Sequence, residues 1–223
     1  MALSHAKREE IPEDAVIISQ EEALTYQWKI ISEWEKPTEV IALRNGPAVL
    51  SVLSGVTGFF VNNHYRKYLR LGVYGRSSTY LPIVVIPALF TYMTHKYFVQ
   101  RDLILTPIAC PLCLQTRASA FQSGIGCVYP TVLAPFAAFM FATRHYTYRL
   151  PSITKNPKDV FKLWRKMTRP ITPVLATIFV GQAIAAAYIT YREQLEYLRL
   201  QIKMQEIENK IMEEHFSSTS SFE

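Results

Sequence analysis

The sequence predicts an all-α polytopic membrane protein with four transmembrane helices, an N-terminal amphipathic helix and a long C-terminal helical extension. Three observations carry this prediction. Apolar residues cluster in four runs, at 46–61, 79–94, about 119–143 and 171–190. The runs lack the polar stripe that a soluble helix of this length shows. Lys and Arg alternate between the segments that connect them. A helix needs roughly 20 mostly apolar residues to cross the hydrocarbon layer, and neutral flanking residues extend the shorter runs.

The charge of the connecting segments predicts how the spans are oriented. Residues 62–78 hold four Lys or Arg and no acid, and residues 144–170 hold eight and one. Residues 95–118, between them, hold three and one. The positive-inside rule places both basic loops inside, with the two termini and the middle loop outside. The net charge of +6 is therefore attributed to membrane topology and anionic headgroups, and not to nucleic-acid binding.

The N-terminal segment precedes the first span and divides into two parts. Residues 1–18 are polar and are expected to be flexible. Residues 19–36 predict an amphipathic helix that begins at the capping box of Ser19 and Glu22 and ends at Pro37. This helix is expected to lie on the membrane surface, on a partner or on the protein's own spans. The first 25 residues resemble neither a secretory signal nor an acid-poor transit peptide.

Small residues recur at helical spacing within the four-helix transmembrane domain, residues 40–190. They let helices approach closely, either inside the protein or against another membrane subunit. Gln182 lies among them and is expected to hydrogen-bond to another helix. The proposed helix-packing residues are Ser54, Gly55, Gly58, Gly181 and Ala185.

The third loop, 144–170, contains a predicted amphipathic helix at 155–168 on the inner membrane surface. It is expected to hold soluble partner proteins or an anionic lipid such as cardiolipin, and topology signalling alone is the alternative interpretation. Its apolar contacts are assigned to Val160, Phe161 and Trp164, and its charge to Lys162, Arg165 and Lys166.

The C-terminal segment, 191–215, predicts a charged helix that is continuous with the last span. One apolar stripe runs from Tyr191 to Ile202, and a second runs from Leu200 to Ile211 on the opposite side. The helix is therefore expected to bend near residue 200 or to meet different partners in its two halves. Residues 216–223 are Ser-rich and are expected to be disordered.

Cys110 and Cys113 form a C-x-x-C motif in the middle loop. The motif fits a structural disulfide, two free thiols in a packed turn, or a redox dithiol, and a zinc site lacks further ligands. The oxidising outer side would allow a disulfide to persist. The histidines are dispersed, none lies at a convincing spacing from a carboxylate or a cysteine, and no acid lies within a span. These observations predict no enzyme, no metal site and no cofactor, and they disfavour a transporter.

Several motifs in one order make the chain resemble the transmembrane protein 126 family of the mitochondrial inner membrane. The match extends over roughly residues 40 to 190. The motifs are Arg44-Asn45-Gly46 and Tyr65-Arg66-Lys67 around the first run, Arg101-Asp102, Cys110-x-x-Cys113 and Thr116-Arg117 in the middle loop, Pro130 to Pro135 with Arg144-His145-Tyr146, and Trp164-Arg165-Lys166 with Pro170 before the last run.

The resemblance implies a non-enzymatic scaffold that helps to build respiratory complex I. Such a scaffold holds newly made membrane-arm subunits together with other, soluble assembly factors. The resemblance also implies that loops 62–78 and 144–170 face the matrix, and that the termini and the Cys110 loop face the intermembrane space. Two alternatives are a permanent accessory subunit of a respiratory complex and a thiol oxidoreductase of the intermembrane space that uses the C-x-x-C motif.

Overall fold

The computed structural model describes residues 18–106, 110–148 and 157–220, and every regular element in these ranges is helical. The all-α class is therefore confirmed for the described part of the chain. Two 3₁₀ turns, Pro37–Glu39 and Arg169–Ile171, lead into the second and last helices. The helices are α1 Gln20–Glu33, α2 Ile41–Tyr68, α3 Arg76–Leu105, α4 Pro111–His145, α5 Pro157–Thr168 and α6 Thr172–Ser220.

Helices α3 and α4 contain internal prolines and are continuous, and both include wider π-helical turns. These turns are Leu81–Val85 and His95–Gln100 in α3 and Gly124–Val128 in α4. Proline removes a backbone donor and clashes with the preceding turn, and a local change of helical pitch can relieve both effects. Pro82 lies inside the first π turn and Pro130 follows the third, whereas the second π turn contains no proline.

Three helical stretches are long and apolar enough, by length and composition, to cross a membrane. They are Arg76–Leu105, Pro111–His145 and the stretch Lys158–Glu214, which includes most of α5 and most of α6. Three of the four predicted spans therefore lie in such helices. The fourth predicted span, 46–61, lies in α2, which is not among these three stretches.

Helix α2 lies at the centre of the bundle and packs against α3, α4 and α6. It runs antiparallel to α3, because Gln100 near the end of α3 donates to the carbonyl of Leu43 near the start of α2. At the other end, Asn62 of α2 donates to Thr79 in the first turn of α3. The two helices therefore extend alongside each other over nearly their full lengths.

The described parts of the two basic loops lie at one end of the bundle, called here the basic end. Tyr65 at the end of α2 lies 2.8 Å from the hydroxyl of Thr168, and His64 Nε2 lies 3.0 Å from the carbonyl oxygen of Met167. Leu69 and Met167 are fully buried in the apolar core that these loops share. The sequence placed the two loops on one side, and this packing agrees with that prediction.

The opposite end, called here the tail end, joins α1 to the start of α2, the end of α3 and the middle of α6. Ile31 and Leu200 are buried in its core. Helix α1 therefore packs on the protein itself, one of the three locations expected for it. It ends at Glu33 rather than residue 36, because Trp34 leaves the helical conformation and donates its indole N–H to Glu39. Residues 1–17 lie outside the described residues.

The last helix, α6, is continuous from Thr172 to Ser220 and therefore includes part of the segment that was expected to be disordered. Residues 221–223 lie outside the described residues. Its two apolar stripes meet different surroundings. Leu200 and Met204 are buried against the tail-end core, whereas Leu198 and Ile202 are more than half exposed.

Candidate partner and lipid surfaces

Helix α5 carries the predicted partner-binding and lipid-binding residues at the basic end. Its apolar residues differ in burial: two pack against the protein and one is exposed. Val160 and Trp164 pack against the basic-end core. Phe161 is 59% exposed and stacks at a tilt on Trp164, with ring centroids 5.3 Å apart. The three predicted cations, Lys162, Arg165 and Lys166, are all exposed.

An apolar groove of about 720 Å³ separates α5 from the C-terminal half of α4. The volume lies within the roughly 300–1,000 Å³ that small-molecule sites occupy. Sequence reasoning found the α5 wall of this groove but not the α4 wall, because α4 reads only as a span. The groove is lined by Val132, Pro135, Phe136, Phe139, Met140, Thr143, Arg144, Val160, Phe161 and Trp164.

Arg66, in the first basic loop, is not available to a ligand. Its guanidinium donates to the carbonyls of Gly72, Tyr74 and Gly75 and to the hydroxyl of Thr79. The side chain is buried, with 5% of the residue exposed. In the sequence, Arg66 is one of the basic residues that predict the orientation of the spans. The structure shows that it also stabilises the turn between α2 and α3.

Of the three predicted helix-packing residues of α2, Gly55 and Gly58 lie against α3. Ser54 is fully buried. A Cβ on Gly58 would lie 2.2 Å from the carbonyl oxygen of Ile83, and a Cβ on Gly55 would lie 3.6 Å from the Cβ of Ala88. These residues therefore serve contacts inside the protein, which was one of the two interpretations.

The two packing residues predicted on α6 have different surroundings. Ala185 is partly buried and packs on a core shared by several helices. Gly181 is exposed, and no heavy atom lies within 4 Å of the place where its Cβ would be. The expected packing role of Gly181 within the chain is therefore corrected, because its face of α6 points away from the other described helices.

Gln182 hydrogen-bonds to two other helices, as predicted. Its amide donates to the hydroxyl of Thr57 on α2 at 2.7 Å. Its side-chain oxygen accepts from Gln122 on α4, which also donates to the carbonyl of Leu50. A Cβ on Gly126 would lie 2.8 Å from this oxygen, so that glycine makes room for the network. The network links α2, α4 and α6 in the middle of the bundle.

The sequence showed no spacing that pairs a histidine with a carboxylate, and the structure corrects this interpretation. His95 pairs with a carboxylate: its Nε2 lies 2.9 and 3.1 Å from the oxygens of Glu193, which is fully buried. Glu193 also accepts from Gln100. Glu196, likewise buried, caps α2 by accepting from the backbone N–H groups of Ala42 and Leu43. Both glutamates lie on α6 beyond the predicted span 171–190.

Cys110 and Cys113 are exposed free thiols in the structure. Cys110 is the N-cap of α4, and Cys113 lies in the first turn. The pKa of the Cys110 thiol is lowered because the side chain and backbone N–H of Cys113 donate to it. Among the described residues, no three His, Cys, Asp or Glu side chains are grouped closely enough to hold a metal ion.

These long apolar helices, packed around α2 with exposed apolar outer faces, define a helical membrane protein. Its family follows from comparison with known proteins. The Transmembrane protein 126 family model matches residues 26–208, and the chain belongs to this family. The suspected resemblance is thereby confirmed.

Two relatives show how far the similarity extends. The chain is 54% identical to Transmembrane protein 126 of Drosophila melanogaster, over 100% of both chains. It is 25% identical to Transmembrane protein 126A of Homo sapiens, over 66% of this chain and 73% of that protein. No solved structure matches the chain.

Proposed function

We propose that this protein is a non-enzymatic scaffold of the mitochondrial inner membrane that assists the assembly of respiratory complex I. Its partners would be membrane-arm subunits and other assembly factors. Membership of the family supports this biological role, because the resemblance implies it. The proposed mechanism, partner binding, rests on a long apolar surface of α6 that the described part of the chain does not cover.

In this proposal α2 is a fourth span. No Lys, Arg, Asp or Glu occurs between residues 45 and 65. The outward side chains of Val52, Val56 and Phe59 are apolar and at least half exposed. Because α2 lies antiparallel to the candidate span α3, a membrane that contains α3 would contain α2 as well. The basic end would then face the matrix, and the tail end with the Cys110 loop would face the intermembrane space.

The uncovered surface of α6, called here the α6 seam, follows a 3-4 repeat. Counted on from Gly181, its positions recur every three or four residues, which is the spacing of helix–helix contacts in coiled coils. Exposed fractions are 64% for Ile184, 57% for Tyr188 and 55% for Ile202. The seam consists of Gly181, Ile184, Tyr188, Tyr191, Leu195, Leu198 and Ile202.

Gly181 favours a helix as the occupant of the membrane part of the seam. Lipid tails cover an apolar face of any shape, whereas a partner helix gains from a glycine that lets the backbones approach closely. The open space at Gly181 is therefore the feature by which the seam would hold an unassembled membrane subunit.

The test replaces Gly181 with leucine, with Gly124→Leu as the matched control. Neither glycine has a heavy atom of the surrounding structure within 4 Å of its Cβ position, so the first carbon of each added side chain meets no neighbour. Each variant is expressed in cells that lack the protein, and native mitochondrial membranes are separated and profiled by mass spectrometry.

Wild type and Gly124→Leu are expected to co-migrate with assemblies smaller than the mature complex. Gly181→Leu is expected to remain in the membrane but to leave those assemblies, and mature complex I should decrease. The proposal is refuted if Gly181→Leu and Gly124→Leu migrate alike. Migration of the wild type only with the mature complex would instead indicate a permanent accessory subunit.

A second candidate function is thiol–disulfide exchange, favoured by the lowered pKa of Cys110. The Cys110 thiolate would attack a partner disulfide, form a mixed disulfide and release one partner thiolate. The Cys113 thiol, losing its proton, would then attack the Cys110 sulfur and release the second partner sulfur. The partner would be reduced and the C-x-x-C pair oxidised. A Cys113→Ser variant should trap the mixed disulfide, and absence of any trapped partner with intact function would exclude this activity.

A further inference from the structure

We propose that the groove between α4 and α5 binds one anionic phospholipid, with an acyl chain in the groove and the phosphate at its basic rim. This inference concerns a ligand rather than a protein partner. It rests on the membrane location of the family and not on a role in complex I assembly, so either could fail without the other.

The walls of the groove fit an acyl chain. Phe136, Met140 and Val132 of α4 are 68%, 59% and 49% exposed, and Phe161 of α5 faces them across the groove. Such side chains would be unfavourable in water, but they are the usual lining of a lipid contact. The groove also lies where the candidate span α4 ends and the amphipathic helix α5 begins, which is the depth of the headgroup boundary.

The rim supplies charge complementary to a phosphate. Arg144 belongs to the lining of the groove itself. Lys158 and Arg165 lie three residues before and four residues after Phe161, so on a helix they are its surface neighbours. All three cations are exposed and free to bend toward one headgroup. Asp159, the acid of α5, lies on the opposite side of the helix from Phe161.

The remaining cations of the same segment provide a matched control. Lys162, Lys166 and Arg169 are equally exposed. Lys162 and Lys166 lie about 100° and 140° around the helix from Phe161, compared with about 60° for Lys158 and about 40° for Arg165, and neither lysine lines the groove. Removing three charges from either set changes the net charge by the same amount. If lipid binding reflects only a general attraction to anionic membranes, both triple substitutions should weaken it equally. If a specific site binds the lipid, only the first triple substitution should weaken binding.

The experiment uses the full chain, purified in a mild detergent and examined by native mass spectrometry. Phosphatidylglycerol and phosphatidylcholine are added as probes, and the bound fraction is measured for wild type and both triple variants. The wild type should retain one phosphatidylglycerol in preference to phosphatidylcholine. Arg144→Gln/Lys158→Gln/Arg165→Gln should lose at least tenfold in that preference, since each cation near a headgroup contributes roughly fivefold. Lys162→Gln/Lys166→Gln/Arg169→Gln should lose less than threefold.

Two further arms separate a lipid from a free phosphate. Glycerol 3-phosphate and inorganic phosphate carry the charge without a chain, so neither should displace the bound lipid. Phe136→Gln/Met140→Gln keeps every cation but makes the groove polar, and it should weaken retention of phosphatidylglycerol. Equal losses in both triple variants, or displacement by glycerol 3-phosphate, would overturn the proposal. So would full retention by the polar-groove variant.

Discussion

Substitution of Gly58 by alanine tests the packing of α2 on α3 most directly. The added Cβ would lie 2.2 Å from the carbonyl oxygen of Ile83 and 3.2 Å from its carbonyl carbon. Both of these atoms belong to the backbone of α3, so no side-chain rotation can relieve the contact. Because Cβ atoms essentially never approach other atoms within 3.0 Å, α2 and α3 would have to separate locally by about 1 Å.

The expected change in the free energy of unfolding is the sum of two opposing contributions. Overpacking of this kind costs about 3 kcal/mol, and alanine recovers about 1 kcal/mol of helix propensity relative to glycine. The net destabilisation expected for Gly58→Ala is therefore about 2 kcal/mol. Gly55→Ala, one turn earlier on the same face, is the control. Its Cβ would make an ordinary contact of 3.6 Å with Ala88, so only the gain in propensity remains.

The assay is reversible unfolding in mixed micelles, with increasing SDS and tryptophan fluorescence as the signal. Gly58→Ala should unfold at a lower SDS fraction than wild type, and Gly55→Ala at an equal or higher fraction. If the two variants unfold together, α2 and α3 do not meet in the register described, and the central position of α2 would be refuted.

Three other perturbations test the two ends of the bundle. Glu193→Leu should lower stability by about 3 kcal/mol in the same assay, because it leaves His95 buried without its partner. The double variant His95→Leu/Glu193→Leu should recover part of this loss. If it recovers none, the pairing of His95 with Glu193 is contradicted. Arg66→Gln should lower stability by a similar amount and expose the loop between α2 and α3 to proteolysis; an unchanged cleavage rate would argue against its role. Hydrogen bonds from Lys203 and Trp34 lower the pKa of Glu39, so its contribution is present above its unfolded pKa and is lost as pH falls through the folded value. The protection factors for amide exchange in α1, which correct for the intrinsic pH dependence of exchange, should therefore fall in acid, and Lys203→Met should reduce that response.

The helical class and the positions of the apolar runs could be predicted because both depend on local pattern. A helix with lipid on one side and other helices on the other has a long uncharged sequence, whichever helices it packs against. The shared side of the basic loops could also be predicted, since charge counts alone decide it. The capping box at Ser19 is a local signal of the same kind, and its two hydrogen bonds are present in the structure.

The pairings could not be predicted because their partners lie far apart in the sequence. His95 and Glu193 are separated by 98 residues, and no spacing rule connects positions at such a distance. The α4 wall of the groove was missed for a related reason. Phe136 and Met140 have the composition of any span residue, and only the position of α5 shows that they line a cavity.

In the proposed scaffold a partner helix would cover the α6 seam, because the proposed membrane boundary falls within the seam. In the hydrocarbon layer, exposed Ile184 needs no protein cover, since lipid tails are as apolar as its side chain. Leu198 and Ile202 continue the same face beyond Glu193 and Glu196, where the helix becomes charged on its other sides. Water surrounds that part of an uncovered helix, and apolar side chains in water are costly. One partner helix that covered both parts of the stripe would remove its apolar side chains from water as well as from lipid. The seam therefore favours a helix that itself leaves the membrane beside α6.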